Sequence, residues 1–404
     1  MQKTNSSTKG YVFPLVVIGV LFFMIGFALG INGLVIPFLR TALDLTTAES
    51  YLVLAATFST FVIFGYPSGL VIKAIGYKKT MILSFLFFAV GLYLFIPSAQ
   101  NQSFTMFLLA SFISGIGNTM LQAAVNPYIT ILGPLESAAT RMSMMGIANK
   151  AAWAIAPIFL GMFLDLSNVQ LSDMNMPFYF IAAIFVLLGV LVAFVPLPEV
   201  KAEGEDEEDT DSVASSYAAN KTSIWQFPHL LLGLLALLVY VGVETLAMAS
   251  IVDYAKSIGL QNPETYTSYT VIGMVIGYLV GVFFISKYIS QEKAMLVCTL
   301  IGLISSLLVV LTPVTYSIWF VALLGLANSL LWPALWPMAM KDLGKFTKTG
   351  SSLLVMAIVG GAIFPLLFGW LADMTGNLQQ AYWICFPAYA IILYFAVSGH
   401  KIRI

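Results

Sequence analysis

Long apolar runs separated by short polar breaks dominate the chain. The first ten residues are polar and include Lys3 and Lys9, and an apolar stretch then runs from Tyr11 to about Leu39. Further apolar runs cover residues 51–72, 80–98, 103–132, 141–164 and 177–197. After a polar interval come 229–256, 266–287, 294–313, 317–340, 350–372 and 378–398. Runs of about 18 apolar residues or more are long enough to cross a bilayer as helices, so the pattern predicts twelve spans. The first run is too long for a signal-peptide core, and no small-residue cleavage site ends it. A β-barrel needs short segments of alternating polarity, whereas a stretch such as Leu230 to Tyr240 is apolar on every face. Helices are the other structure that satisfies its backbone within lipid. The expected fold is an all-α membrane protein.

Composition removes the alternatives. Of 404 residues, 60% are hydrophobic and 9% charged, and mean hydropathy is +0.93. A water-soluble fold of this length cannot bury that much apolar surface. A formal net charge of −1 leaves no basic field for nucleic acid. Cys298 and Cys385 lie in apolar runs and read as small hydrophobes. The only histidines, His229 and His400, sit near span ends. Nothing suggests a metal centre, an enzyme cofactor or a membrane enzyme.

The bias of Lys and Arg between the two sides sets the orientation. Fifteen fall on the N-terminal side of the membrane, against Arg40 and Lys256 on the other, with Lys150 inside a span. Both termini are therefore expected in the cytoplasm. The interval from Glu199 to Thr222 holds Glu203, Glu205, Asp206, Glu207, Glu208, Asp209 and Asp211. Such a run reads as a solvated linker. It divides the chain into an N-terminal six-helix bundle (1–198), a cytoplasmic linker (199–224) and a C-terminal six-helix bundle (225–404).

The two groups of six spans share a pattern. Pro157, Gly161 and Asp165 recur as Pro365, Gly369 and Asp373 at an offset of 208 residues. Asn118 and Pro127 recur as Asn328 and Pro337 at 210, and Leu132–Gly133 as Leu343–Gly344 at 211. Gly65 and Gly69 before Lys73 echo Gly277 and Gly281 before Lys287. Matched positions fall in spans of the same direction. The arrangement is a parallel duplication about an axis normal to the membrane, as in major facilitator transporters. Two similar bundles rocking against each other provide alternating access to a central site.

Several segments carry a closer resemblance. Residues 117–134 read GNTMLQAAVNPYITILGP, residues 344–365 read GKFTKTGSSLLVMAIVGGAIFP, and residues 240–244 read YVGVE. With the KAIGYKK turn at 73–79 and INGLVIP at 31–37, the chain resembles the fucose permease family of sugar symporters within the major facilitator superfamily. The family's carriers take fucose, glucose/galactose, mannose and N-acetylglucosamine. The resemblance implies secondary active import of a hexose or N-acetylhexosamine across a bacterial inner membrane, by a protein acting as a monomer. RMSMMGIANK at 141–150 is similar to the N-acetylglucosamine branch. Two departures stand out. The fucose permease carries an Asp where this chain has Gly33, and a Glu where it has Gln122. Fucose-type proton coupling through those two groups is absent here.

Charge at membrane depth is costly and marks function or pairing. Glu244, near the middle of the seventh span, reads as a site for a coupling H⁺ or Na⁺, as an acceptor for sugar hydroxyls, or as half of an ion pair with Lys150. Lys150, in the fifth span, either bonds a neutral sugar, pairs with Glu244 as a conformational switch, or holds an anionic sugar. Gln122 and Asn126 share a helix face, and amides suit a polyhydroxylated ring. Asn328, Trp332 and Trp336 repeat at intervals of four residues, which suits stacking under a sugar. Asn149, which matches a family Asn, with Trp153 and Asn32 completes the candidate substrate-binding set. Lys73, Lys78 and Lys79 are expected to latch the cytoplasmic side. Asp165 and Asp373 are expected to cap helices or contact the neighbouring bundle. A facilitative sugar uniporter and an anionic-sugar carrier remain as alternatives to the cation-coupled symporter.

Overall fold

The computed structural model describes residues 12–132, 138–164, 170–197, 216–285 and 288–403. Its helices are α1 (Val12–Ala42), α2 (Thr47–Ile75), α3 (Tyr77–Gln100), α4 (Phe104–Ile131), α5 (Ala138–Gly161) and α6 (Asn175–Phe194). Then follow α7 (Pro228–Ser257), α8 (Tyr266–Phe284), α9 (Gln291–Leu311), α10 (Val314–Ser329) and α11 (Leu331–Met340). The last are α12 (Thr347–Ala357), α13 (Gly360–Thr375) and α14 (Cys385–Val397). Among the described residues, twelve helical segments are long and apolar enough to cross a membrane. They coincide with the twelve runs read from the sequence, with ends shifted by a few residues.

Local chemistry explains where the helices stop and start. Thr46 and Glu49 form a reciprocal capping box at the start of α2, satisfying two backbone donors that a helix N-terminus leaves free. The Ser103 and Ser290 side chains cap α4 and α9. Gly76, at φ +84°, turns the chain between α2 and α3, a conformation glycine adopts without steric cost.

Two spans are broken where the apolar pattern runs on without interruption. The tenth divides into α10 and α11 at Leu330. Pro333 stands in the first turn of α11, where its missing N–H costs nothing, and the same residue could not continue α10. The eleventh divides into α12 and α13 at Ile358–Val359, just before the Gly360–Gly361 pair, a common cause of helix breaks. Both breaks border the central cavity described below, as in transporters whose interrupted helices form the binding site.

Within the first six spans, α1 packs on α5, and α3 packs on α4 and α6. Within the last six, α7 packs on α13 and α14, and α8 packs on α10. Two contacts need glycine. A Cβ on Gly26 of α1 would lie 1.9 Å from the Asn149 carbonyl oxygen of α5. A Cβ on Gly360 of α13 would lie 1.8 Å from the Leu238 carbonyl oxygen of α7. These are corresponding pairs, the first with the fifth span of each six. The two groups meet along α2 with α13, α5 with α8, and α1 with α7.

The linker differs in part from expectation. Residues 198–215, which hold the whole acidic run, lie outside the described residues. From Ser216 the chain is folded and packed. The Tyr217 ring meets Phe227 edge-on at 5.6 Å, with Lys221 and Arg403 over it at 4.9 and 5.7 Å. The end of the expected solvated stretch therefore docks against the last six spans, because an aromatic and two cations there find partners.

Candidate functional site

Odd-numbered spans run from one face of the bundle to the other, so the ends of α1, α7 and α13 and the start of α2 share what is here the far face. Two polar ties close that face. Arg40, near the end of α1, grips Asp253 of α7 with both guanidinium nitrogens, one donating to Oδ2 at 2.6 Å and the other to Oδ1. The Asp253 side chain is fully buried. Asp373, near the end of α13, accepts from the Thr47 and Ala48 amides at the start of α2, at 3.0 and 2.8 Å. A carboxylate at a helix N-terminus meets both free donors and the positive end of the dipole. One turn earlier, a Cβ on Gly369 would lie 2.7 Å from the Ala48 Cα, so the helices approach closely only with glycine there. Asp165, the repeat partner of Asp373, lies outside the described residues.

A cavity lies between the two groups of helices. Its walls come from the middle of the helices and, for α4, α8 and α11, from nearer their near-face ends. They include Phe22, Ile25 and Leu29 of α1, and Gln122 and Asn126 near the end of α4. Met142, Gly146, Asn149, Lys150 and Trp153 of α5 join them. The last six spans give Tyr240, Val241, Glu244, Thr245 and Met248 of α7, Tyr278 near the end of α8, Trp332 and Pro333 after the α10–α11 break, and Ile358 at the α12–α13 break. The cavity thus lies near mid-depth, on the near side of the two far-face ties.

The Lys150 ammonium stands 3.3 Å from Glu244 Oε1, with about a tenth of each side chain exposed. The Tyr240 hydroxyl donates to the same oxygen at 2.7 Å. Lys150 belongs to the first six spans and Glu244 to the last six, so the pair bridges the groups inside the cavity. Lys150 lies twelve residues into α5, about 18 Å along the axis at 1.5 Å per residue and deeper than the sequence boundaries suggest. Removing either charge alone from so buried a pair leaves the other uncompensated.

The polar walls are partly spoken for. Gln122 donates to Asn118 Oδ1 at 2.9 Å, and Asn149 donates to the Phe22 carbonyl at 3.0 Å. Each amide is thereby oriented. Trp332 packs against Trp336 with ring centroids 5.3 Å apart and the rings tilted by 30°, and lies 6.4 Å from Tyr240. Trp153 is buried, and Gly33 makes room for it: a Cβ there would lie 3.3 Å from the edge of the indole.

Of the nine predicted substrate-binding residues, Gln122, Asn126, Asn149, Lys150, Trp153 and Trp332 line the cavity. Three do not. Asn32 turns toward α2 and donates to Thr57 Oγ1 at 3.1 Å. Asn328 lies before the break at Leu330 and accepts from the Tyr389 hydroxyl at 2.9 Å. Trp336 sits one turn beyond Trp332 and supports its ring rather than the cavity. Lys73 and Lys79 are exposed at the α2–α3 turn and Lys78 is half-buried, all three away from the cavity. Sequence reasoning misses Tyr240, although it stands four residues before Glu244 on the same helix face. Tyr278 carries no comparable signal. A Cβ on Gly146 would lie 2.8 Å from the Tyr278 ring, so a glycine of α5 seats it.

This architecture is shared with known proteins. Residues 18–358 match the family described as Major Facilitator Superfamily. The chain is 32% identical to a glucose/galactose transporter of Brucella abortus, across 99% of this chain and 97% of that one. It is 27% identical to the L-fucose-proton symporter of Escherichia coli, across 98% and 95%. A solved structure of the transporter FucP in the outward conformation is similar at a TM-score of 0.73 and 25% identity, covering 96% of this chain and 99% of that one. The relatives are transporters and not enzymes, the match extends through every span, and this multi-pass membrane protein belongs to the Major Facilitator Superfamily.

Proposed function

We propose that the chain is a secondary active transporter that imports a neutral hexose or N-acetylhexosamine by alternating access, coupled to a cation through Glu244. The carrying observation is the cavity in which oriented amides and indole rings surround an ion pair drawn from both groups of helices. Amides offer donors and acceptors to hydroxyls, and Trp332 and Trp153 offer apolar faces to the C–H side of a sugar ring. The names of the relatives support the substrate class. The excess of Lys and Arg on the near face makes that face cytoplasmic. On that reading the far face is periplasmic and this conformation is inward-facing. Lys150 is charge-balanced by Glu244, which removes the ground for an anionic substrate.

The test is uptake of radiolabelled D-glucose, D-galactose, N-acetylglucosamine and L-fucose into proteoliposomes, with imposed proton or sodium gradients and without. The expected result is gradient-driven accumulation of at least one sugar, abolished in Glu244→Gln while exchange across the membrane persists. Uptake that only equilibrates, whatever the gradient, makes the protein a uniporter. Transport of no neutral sugar overturns the substrate class.

A further inference from the structure

We infer that Lys150 expels the coupling proton from Glu244 on the near face, and so makes proton release, rather than sugar binding, its contribution to transport. The inference rests on the reading of Glu244 as the coupling group of a sugar carrier. Three observations lead to it. Among the described residues, the pair is the one junction inside the cavity between an acid and a base, Lys150 from α5 and Glu244 from α7. The two residues belong to groups of helices that must move relative to one another for access to alternate. The structure that contains the pair is tied shut at the far face by Arg40–Asp253 and Asp373, with its cavity on the near side of those ties.

The groups facing Glu244 define what can replace a proton on it. Tyr240 donates to Oε1 from its own helix. Tyr278 of α8 lines the same cavity, and the Tyr389 hydroxyl of α14 is committed to Asn328. None of the three tyrosines carries a positive charge, so Lys150 supplies it. In the state open at the far face, separation from Lys150 leaves Glu244 without a counter-ion, and the carboxyl carries a proton. Closure of the far face brings Lys150 back. The proton then passes from the Glu244 carboxyl to water at the near face, and the remaining carboxylate pairs with the ammonium. Lys150 keeps its own three protons throughout, so one proton crosses per cycle and no other charge is consumed. The reformed pair also holds the empty site neutral on the return step.

The experiment compares wild type, Lys150→Gln, Lys150→Arg and the double variant Lys150→Gln/Glu244→Gln in proteoliposomes loaded with radiolabelled D-galactose or D-glucose. Two rates are read: net efflux down the sugar gradient, which needs proton release, and sugar exchange, which does not. The expected result is that Lys150→Gln lowers the ratio of efflux to exchange at least tenfold, and that raising the pH on the release side restores part of it. Lys150→Arg should return the ratio to within threefold of wild type. The double variant has no charge to balance and should show a ratio independent of pH. Melting of each purified variant checks folding; if Lys150→Gln does not fold, the double variant and the arginine variant decide the matter by their pH profiles. Equal loss of efflux and exchange in Lys150→Gln, with folding intact, would assign Lys150 to substrate binding and overturn the inference while leaving the carrier reading in place. Sodium-driven accumulation in wild type also overturns it. Failure of wild type to move any sugar removes the underlying reading instead.

Discussion

Replacing Arg40 with alanine is expected to open the far face. The Asp253 side chain has no exposure, and both of its oxygens are held by the Arg40 guanidinium. Deleting one partner of a buried pair strands the other charge, at a cost of about 3–5 kcal/mol. In the closed state Asp253 then sits without a counter-ion. In a state open at that face it meets water, so the penalty falls on the closed state alone. At about 1.4 kcal/mol per factor of ten, the closed population drops roughly 10²-fold to 4 × 10³-fold relative to the open one. The Asp373 bonds to α2 are exposed, and a helix-capping interaction contributes about 1 kcal/mol, too little to hold the face shut. Spin labels at Asp44 and Ser257, both exposed near the ends of α1 and α7, would report the change as a longer, broader distance distribution. Arg40→Ala/Asp253→Asn should recover most of the closed population, since no charge is left stranded. Unchanged distances in Arg40→Ala would show that the pair does not govern the far face.

That tie is out of reach of the sequence, for a physical reason. Arg40 and Asp253 are 213 residues apart, and each lies at a span end, where charge is ordinary. Nothing local pairs them. Lys150 and Glu244 are legible because charge at membrane depth is costly enough to demand a reason. The spans themselves are legible for a related cause: without water, lipid forces every backbone polar group into a helix, and the side chains record it as long apolar runs. The same uniformity hides orientation. With apolar residues on every side, the sequence does not tell which face of a span looks inward, and Asn32 and Asn328 bond other helices instead of facing the cavity. Pro333 and the Gly360–Gly361 pair do mark the two broken spans, but proline and glycine are common enough in membrane helices that neither signal singles out a break.

Gly33→Asp, behind the Trp153 wall of the cavity, is expected to be strongly disruptive. It restores the carboxylate that the resemblance to the fucose permease leads one to look for on α1. The wall here is built differently. A Cβ at position 33 would lie 3.3 Å from the Trp153 ring and 3.7 Å from the Ala249 side chain. Alanine is therefore tight but tolerable, with the indole yielding by a few tenths of an ångström. Aspartate adds a full carboxylate beyond that Cβ. Overpacking of a close-packed site costs about 1–3 kcal/mol, and a carboxylate at bilayer depth about 2.5–3.5 kcal/mol or more when nothing pairs with it. The nearest base in the cavity, Lys150, is already held by Glu244. Drawing it over to the introduced carboxylate would only transfer the stranded charge to Glu244. Gly33→Asp should thus lower the melting temperature of the purified protein and abolish sugar binding, whereas Gly33→Ala should keep binding within a few-fold. Removing the indole in Gly33→Asp/Trp153→Ala relieves the overpacking and should recover part of the melting temperature, without recovering binding, because Trp153 forms the cavity wall. If Gly33→Asp melts and binds like wild type, then α1 and α5 are not packed as closely as described, and Trp153 is not what takes the place of the missing carboxylate.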